Sequence, residues 1–309
     1  MKKGRDCALE FTVGADGEGL LLRTYLRRLK LSSRLISHLK AVERGIEVNG
    51  ESCTVRRILH PGDRVCLRYE DLEQGVSATP SPLPVEVLYE DRDIVAVNKP
   101  SQMPTHPSHG HHDDTLANAL AYRYEGTPFV FRPINRLDRN TSGIVLVARN
   151  TRAASILSDE LQGGGFEKTY IAVCDGEFSG AGRIIRALRR TKESIIVRET
   201  CGEDDEGASH AETGYRVLAS AGGKSLVRLF PYTGRTHQLR VHLASIGHPI
   251  TGDDLYGEPS DLIPRQALHA QRLSFTLIGG ERITLDAPLP GDILDLCRAC
   301  GLDAAEATR

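Results

Sequence analysis

The 309-residue chain has no tryptophan and only two methionines, and aromatic residues make up 5% of it. Its core is therefore expected to be built mainly from Val, Leu, Ile and Ala. No segment approaches the roughly 20 apolar residues of a membrane span, which argues against a helical anchor. The cysteines, at 7, 53, 66, 174, 201, 297 and 300, are odd in number and irregularly spaced. That pattern excludes a regular disulfide framework and points to reduced thiols in the cytoplasm. Charge of one sign is also missing: the formal net charge is −2. At 26% charged and 40% hydrophobic, the composition supports one large packed domain and one small one.

The sum hides an uneven distribution. Residues 20–69 hold eleven Lys or Arg and four Asp or Glu, an excess of seven positive charges that leaves nine negative on the remainder. A local basic module on an acidic chain suits contact with RNA phosphates. Within it, Leu22, Leu26 and Leu29 recur at helical spacing between Arg23, Arg27 and Arg28. A second helix, capped by Ser32 or Ser33, carries Leu35, Ile36, Leu39 and Val42 beside Arg34 and Lys40. Asn49-Gly50 predicts a tight hairpin, and residues 54–59 and 64–70 alternate like short strands. We expect an N-terminal arm over 1–17, this module over 18–72, and a linker over 73–84, where prolines and small residues cluster. The main domain should run over 85–300, with a tail over 301–309. Its strands do not alternate regularly with helices, so the expected class is α+β on a mixed, mainly antiparallel sheet.

One polar stretch lies between two apolar runs: Asn135-Arg136-Leu137-Asp138-Arg139-Asn140-Thr141-Ser142-Gly143. A loop framed by buried strands holds its side chains rigidly at a sheet edge. The string R-L-D-x-x-T-S-G resembles the signature of the RluA-type pseudouridine synthase family. PSQMPTHPSHGHHDDTLANAL before it, EKTY (167–170), PYTGRTHQLRVHLASIGHPITGDDLYG and ALHAQRLSF after it are similar to further family motifs in the same order. LSSRLISHLKAVERGIEVNG with HPGDRV looks like the small alpha-L RNA-binding fold. Together the match covers about residues 18–280.

The resemblance implies a pseudouridine synthase fold and the isomerisation of specific uridines in structured RNA. Asp138 matches the catalytic aspartate, Tyr170 a tyrosine stacked on the target base, and Arg235 a cation paired with the aspartate. Arg136 matches the arginine that fills the gap left by a flipped uridine. Arg139, His237 and Arg240 are expected to contact RNA, with Arg23, Arg27, Arg28, Arg34 and Lys40 of the basic module. The chemistry fits such a set. An isomerisation needs no cofactor, metal or energy source, and one carboxylate can manage the detached base. A base within a helix must be everted at a cost of a few kcal/mol, which stacking at ~1–3 kcal/mol per base can offset. Whether Asp138 attacks sugar or ring, or abstracts a sugar proton, stays open.

Asn135 stands where the family usually has His, a departure that bears on target choice or RNA docking. The histidines at 106, 109, 111 and 112 with Asp113 and Asp114 invite a metal, but the Pro- and Gly-rich context favours a loop near RNA. Cys297 and Cys300 lack a second ligand pair. Large-subunit ribosomal RNA is the expected partner, with transfer RNA the alternative, and the protein is expected to be a monomer with no membrane partner. Two other readings compete. A silent RNA-binding or ribosome-assembly protein would not need Asp138, Tyr170 and Arg235 together. A base-releasing hydrolase would commonly use two carboxylates, and this loop offers one.

Overall fold

The computed structural model describes residues 6–29, 31, 33–70, 78–127 and 129–308. Residues 6–70 form a unit with its own core. It contains β1 (Asp6–Thr12), α1 (Leu22–Arg28), α2 (Ser33–Ala41), β2 (Ile46–Val48), β3 (Glu51–Ser52) and β4 (Arg64–Glu70), with the antiparallel strand order β1-β4-β2-β3. Leu22, Leu26 and Leu39 pack on Leu59, Val65 and Leu67. Asn49 and Gly50 have φ of 54° and 83°, the left-handed pair that joins β2 to β3 in a tight hairpin.

Two expectations change here. The described part of the 1–17 arm begins with β1, which pairs along all of β4 and so belongs to the sheet, and ends in a 3-10 turn over Ala15–Gly17. Residues 54–59 do not form a strand. They turn back on α1 through backbone bonds from Leu22 to Arg57 and from Arg23 to Val55. Arg23, Arg27, Arg28 and Lys40 are exposed, while the side chain of Arg34 lies outside the described residues.

The larger unit is a ten-stranded sheet. Its strands are β5 (Glu86–Glu90), β6 (Ile94–Lys99), β7 (Arg132–Pro133), β8 (Ser142–Ala148), β9 (Glu167–Asp175), β10 (Ala181–Ile185), β13 (Glu212–Ala221), β14 (Lys224–Pro231), β15 (Leu268–Thr276) and β16 (Arg282–Asp286). A separate hairpin joins β11 (Ala187–Arg190) to β12 (Arg198–Cys201). The helices are α3 (Leu116–Arg123), α4 (Thr151–Gln162), α5 (Gln238–Ser245), α6 (Gly291–Ala299) and α7 (Ala305–Thr308). The main path runs β10-β13-β14-β9-β15-β8-β6-β5.

β8 is buried at every position because both its faces are covered. Ile144, Leu146 and Ala148 face the core under α4, and Val145 and Val147 face the core under α3. Burying each such side chain stabilises the fold by about 1.5–3 kcal/mol.

The sheet has a seam. Every other strand pair is antiparallel, but β8 and β15 run parallel and meet only at Ser142–His269 and Gly143–Ala270. Gly143 sits there with φ of 115°, and a Cβ on it would stand 2.2 Å from the Ala270 carbonyl oxygen. Only glycine admits so close an approach. Across the seam His269 is fully buried, with Nδ1 2.9 Å from the Ser142 hydroxyl and Nε2 3.2 Å from the Ala287 carbonyl. The carbonyl can only accept, so Nε2 carries the proton and Nδ1 accepts from Ser142.

The sequence reads RIIRALRR and SIIVRE as single strands, 73–84 as a linker and 301–309 as a tail, and the structure differs at each. RIIRALRR splits at Arg186 into β10 and β11, and SIIVRE begins as a turn in which the Ser194 hydroxyl accepts from the amides of Ile196 and Val197. Residues 71–77 of the linker lie outside the described part. The remainder is tied to α3, since Asn118 donates to the Thr79 carbonyl and accepts from the Ser81 amide through its own carbonyl. The 301–309 tail is packed in its described part: Leu302 and Ala307 are buried, and Arg228 donates to the carbonyls of Glu306 and Ala307.

Candidate active site

At the seam, the loop 134–141 leaving β7 faces the loop 231–237 that enters α5. Between them lies a cleft of about 230 Å³, lined also by Lys168 and Tyr170 of β9 and by Arg240 of α5. Asp138 is its single lining carboxylate.

Four buried polar groups hold the Asp138 loop in place. Thr105 donates its hydroxyl to the Leu137 carbonyl at 2.9 Å. Lys99 is fully buried, and its Nζ donates to the carbonyls of Pro100, Met103 and Arg139 at 2.8, 2.8 and 3.1 Å. Burial pulls its pKa down to about 7, with the Asp138 charge opposing. Arg265 reaches the Asn140 carbonyl at 3.1 Å while paired to Asp292 at 2.7 Å. Gln266 donates to the Thr141 hydroxyl. A loop whose Leu137, Arg139 and Asn140 carbonyls each meet a buried donor has little freedom to move. None of these groups was singled out from the sequence. Their partners lie far along the chain, up to 125 residues away for Arg265.

On the facing side, Gln238 fixes the turn before α5. It accepts from the Thr233 hydroxyl and the Arg235 amide and donates to Glu212 and Thr213 of β13. His237 then opens the helix with φ of 59°. Arg240, one turn on, grips Asp253 through Nε and Nη2, both at 2.7 Å, and directs Nη1 to Asp138 at 3.5 Å. The His237 ring lies on the same side, with Nε2 3.9 Å from Asp138 and Nδ1 2.7 Å from the Tyr256 hydroxyl. Burial lowers the His237 pKa, with Asp138 opposing. Tyr170 spans two cores, one on each side of the seam. Burial, with the Asp138 charge adding, pushes its hydroxyl pKa up, so it stays protonated at neutral pH.

Asp138 keeps 26% of its side chain exposed, whereas Arg240 keeps 5%. The arrangement is thus one accessible carboxylate backed by a buried cation, beside a tyrosine ring and below a rim carrying Arg136, which is exposed and, among the described residues, bonds Thr236 at 3.3 Å.

The chain has counterparts among known proteins. Residues 93–245 match the family model of RNA pseudouridylate synthase. The chain is 36% identical over 306 residues to an RNA pseudouridine synthase of Bacillus subtilis, covering 96% of this chain and 98% of that one. It is 34% identical to the ribosomal large subunit pseudouridine synthase D of Vibrio cholerae, covering 85% of each. The solved human RNA pseudouridylate synthase domain containing 1 is 32% identical and superposes with a TM-score of 0.57, covering 69% of this chain and 86% of that one. The chain belongs to the RNA pseudouridine synthase family.

The synthase differs from its sequence reading in the aspartate's cation. Arg235 lines the cleft, but its Nε donates to the His210 carbonyl at 2.9 Å. It precedes α5, and the turn points it away, so Arg240 takes the place given to Arg235. Arg240 and His237 are turned towards Asp138 inside the cleft rather than towards its rim. Their i, i+3 spacing at the start of a helix was the available signal. Arg139 is exposed, with Nη1 3.4 Å from His111, whose other ring nitrogen meets Asp114. Among the described residues, no group of three or more His, Cys, Asp or Glu is placed to hold a metal. No described helix is long and apolar enough to cross a membrane. Asn135 spends its amide on β8, donating to the Ile144 carbonyl and accepting from the Leu146 amide. Its side chain therefore acts as a strand partner, and the expected effect on RNA docking has no geometric basis here.

Proposed function

We propose that the synthase modifies uridines of large-subunit ribosomal RNA, with Asp138 as the catalytic carboxylate and a base-flipping mechanism. The bond between ribose C1′ and uracil N1 breaks, the ring turns, and C1′ joins C5. The proton on C5 leaves and N1 gains one, so the reaction balances without a cofactor. Asp138 serves the reacting nucleoside, Arg240 aims its carboxylate from 3.5 Å, and neutral His237 closes the other side. Tyr170 stacks on the everted ring, and Arg136 enters the vacated space in the RNA. The exposed cations Arg23, Arg27, Arg28 and Lys40 of the N-terminal unit, an alpha-L-like module, take up flanking phosphates. The protein works as a cytoplasmic monomer.

The observation that carries this reading is the approach of Arg240 to a half-exposed Asp138 inside a cleft open to solvent. The ribosomal target is supported by the likeness to the Vibrio cholerae enzyme over most of both chains. Mapping pseudouridine in total RNA from cells with and without the gene tests it. Loss of one or more large-subunit sites is expected. Loss confined to transfer RNA would move the target, and an unchanged map would sink the assignment.

A further inference from the structure

Lys168 carries a charge that no described residue answers. It lies on β9 two residues before Tyr170 and lines the same cleft. It is half-buried, and among the described residues no carboxylate pairs with it and no acceptor bonds its Nζ. Burial lowers its pKa and no carboxylate raises it. The other buried or half-buried lysines of the catalytic unit differ: Lys99 has three carbonyls, and Lys224 has Asp175 at 2.7 Å. Taking an ammonium partly out of water with no partner costs free energy, and a ligand anion is the means of recovering it.

The cleft supplies no such anion. Its only carboxylate, Asp138, already faces Arg240. The access is open: a Cβ on Gly234 would stand 4.0 Å from Lys168 Nζ, so glycine there leaves the ammonium facing the cleft without a covering side chain. Alternation along β9 puts Lys168 and Tyr170 on one face, about 6–7 Å apart along the strand. With the uracil on Tyr170 and its ribose at Asp138, the anionic group that a nucleotide presents at that distance is its phosphodiester.

We propose that Lys168 is a phosphate-binding residue that takes the phosphodiester flanking the everted uridine. The target nucleotide is then held at base, sugar and phosphate by Tyr170, Asp138 and Lys168. This rests on the functional reading above and goes further in naming the contact.

The test uses the full-length protein and an RNA fragment bearing a mapped target uridine, made with its natural phosphates or with a neutral methylphosphonate on either side of that uridine. Lys168→Met and Lys168→Arg are compared with the wild type across a salt series. Lys168→Met should raise KM about tenfold and flatten the salt dependence of log KM by about 0.7–0.9, the share of one phosphate contact. Its saturating single-turnover rate should stay within about twofold, and Lys168→Arg should restore both quantities. One of the two methylphosphonates should cost the wild type the same tenfold and cost Lys168→Met nothing more. The wild-type measurement needs no variant, and a wild type indifferent to both methylphosphonates overturns the proposal even if Lys168→Met folds poorly. An unchanged salt slope with a reduced saturating rate would place Lys168 on the base or on Asp138 and overturn the proposal. Full sensitivity of the Met variant to both methylphosphonates would do the same. A wild type that makes no pseudouridine in any RNA defeats the functional reading itself, a separate outcome.

Discussion

At Asp138 the 3.5 Å to Arg240 is longer than the 2.7 Å bonds by which the same guanidinium grips Asp253. Asp253 is fully buried and fixes the cation, and Asp138 then meets a charge that is aimed at it but not saturated. The planar fork makes this possible, because three nitrogens serve two carboxylates in one plane. Arg240→Lys should therefore lower the single-turnover rate roughly tenfold or more, since a point charge cannot hold both partners. It should also cost about 2–4 kcal/mol of stability in urea, because Asp253 is left underpaired. Arg235→Ala should keep the saturating rate within about twofold. The opposite ranking would reinstate Arg235 as the aspartate's partner. At this scale the meeting of Asp138 and Tyr170 in one cleft was legible, because each sits within a dense local string. The cation was not, because which of two nearby arginines faces the cleft depends on where α5 starts, and Gln238 decides that through β13.

At the scale of the elements, the seam between β8 and β15 creates the cleft and exposes it to acid. His269 is buried neutral across that seam, and burial drives its pKa down to about 4. Unfolded, a histidine titrates near ~6.5. Between those values the unfolded chain binds more protons than the folded one. The stability involved is thus fully present above ~6.5 and is lost as pH falls toward about 4, an effect of about 3 kcal/mol. Urea unfolding at pH 7.5 and 4.5 should show that difference, and His269→Gln should flatten it. A variant with the wild-type pH dependence would remove His269 from the account. The helices around this seam were largely readable. α3 and α4 carry side-chain caps, Thr115 accepting from the Asn118 amide and Asn150 from the Ala153 amide, whereas α5 has none. The seam was not readable, because two residues of parallel pairing leave no mark on hydrophobic alternation. Gly143 was its one trace, since a glycine in a wholly buried strand signals close backbone approach.

For the whole molecule, charge is separated rather than abundant. The net charge of −2 hides a basic N-terminal unit with exposed Arg23, Arg27 and Arg28. Replacing all three with Gln should weaken RNA binding and reduce the slope of log affinity against log salt by about 2–3, with the thermal unfolding midpoint nearly unchanged. An unaltered slope would take those residues off the RNA. Composition and spacing conveyed the two-part organisation and the strand-rich class. They did not convey that β1 closes the small sheet or that α7 docks on β14, because both contacts join segments remote in sequence.

The account depends most on the carboxylate of residue 138. Asp138→Asn keeps the size of the side chain and removes its charge, and the site is exposed enough for folding to survive. Pseudouridine formation by the purified variant on RNA from cells lacking the gene, read by mass spectrometry, should be abolished, with RNA affinity and melting temperature close to wild type. Product formation at a wild-type rate would contradict the central claim.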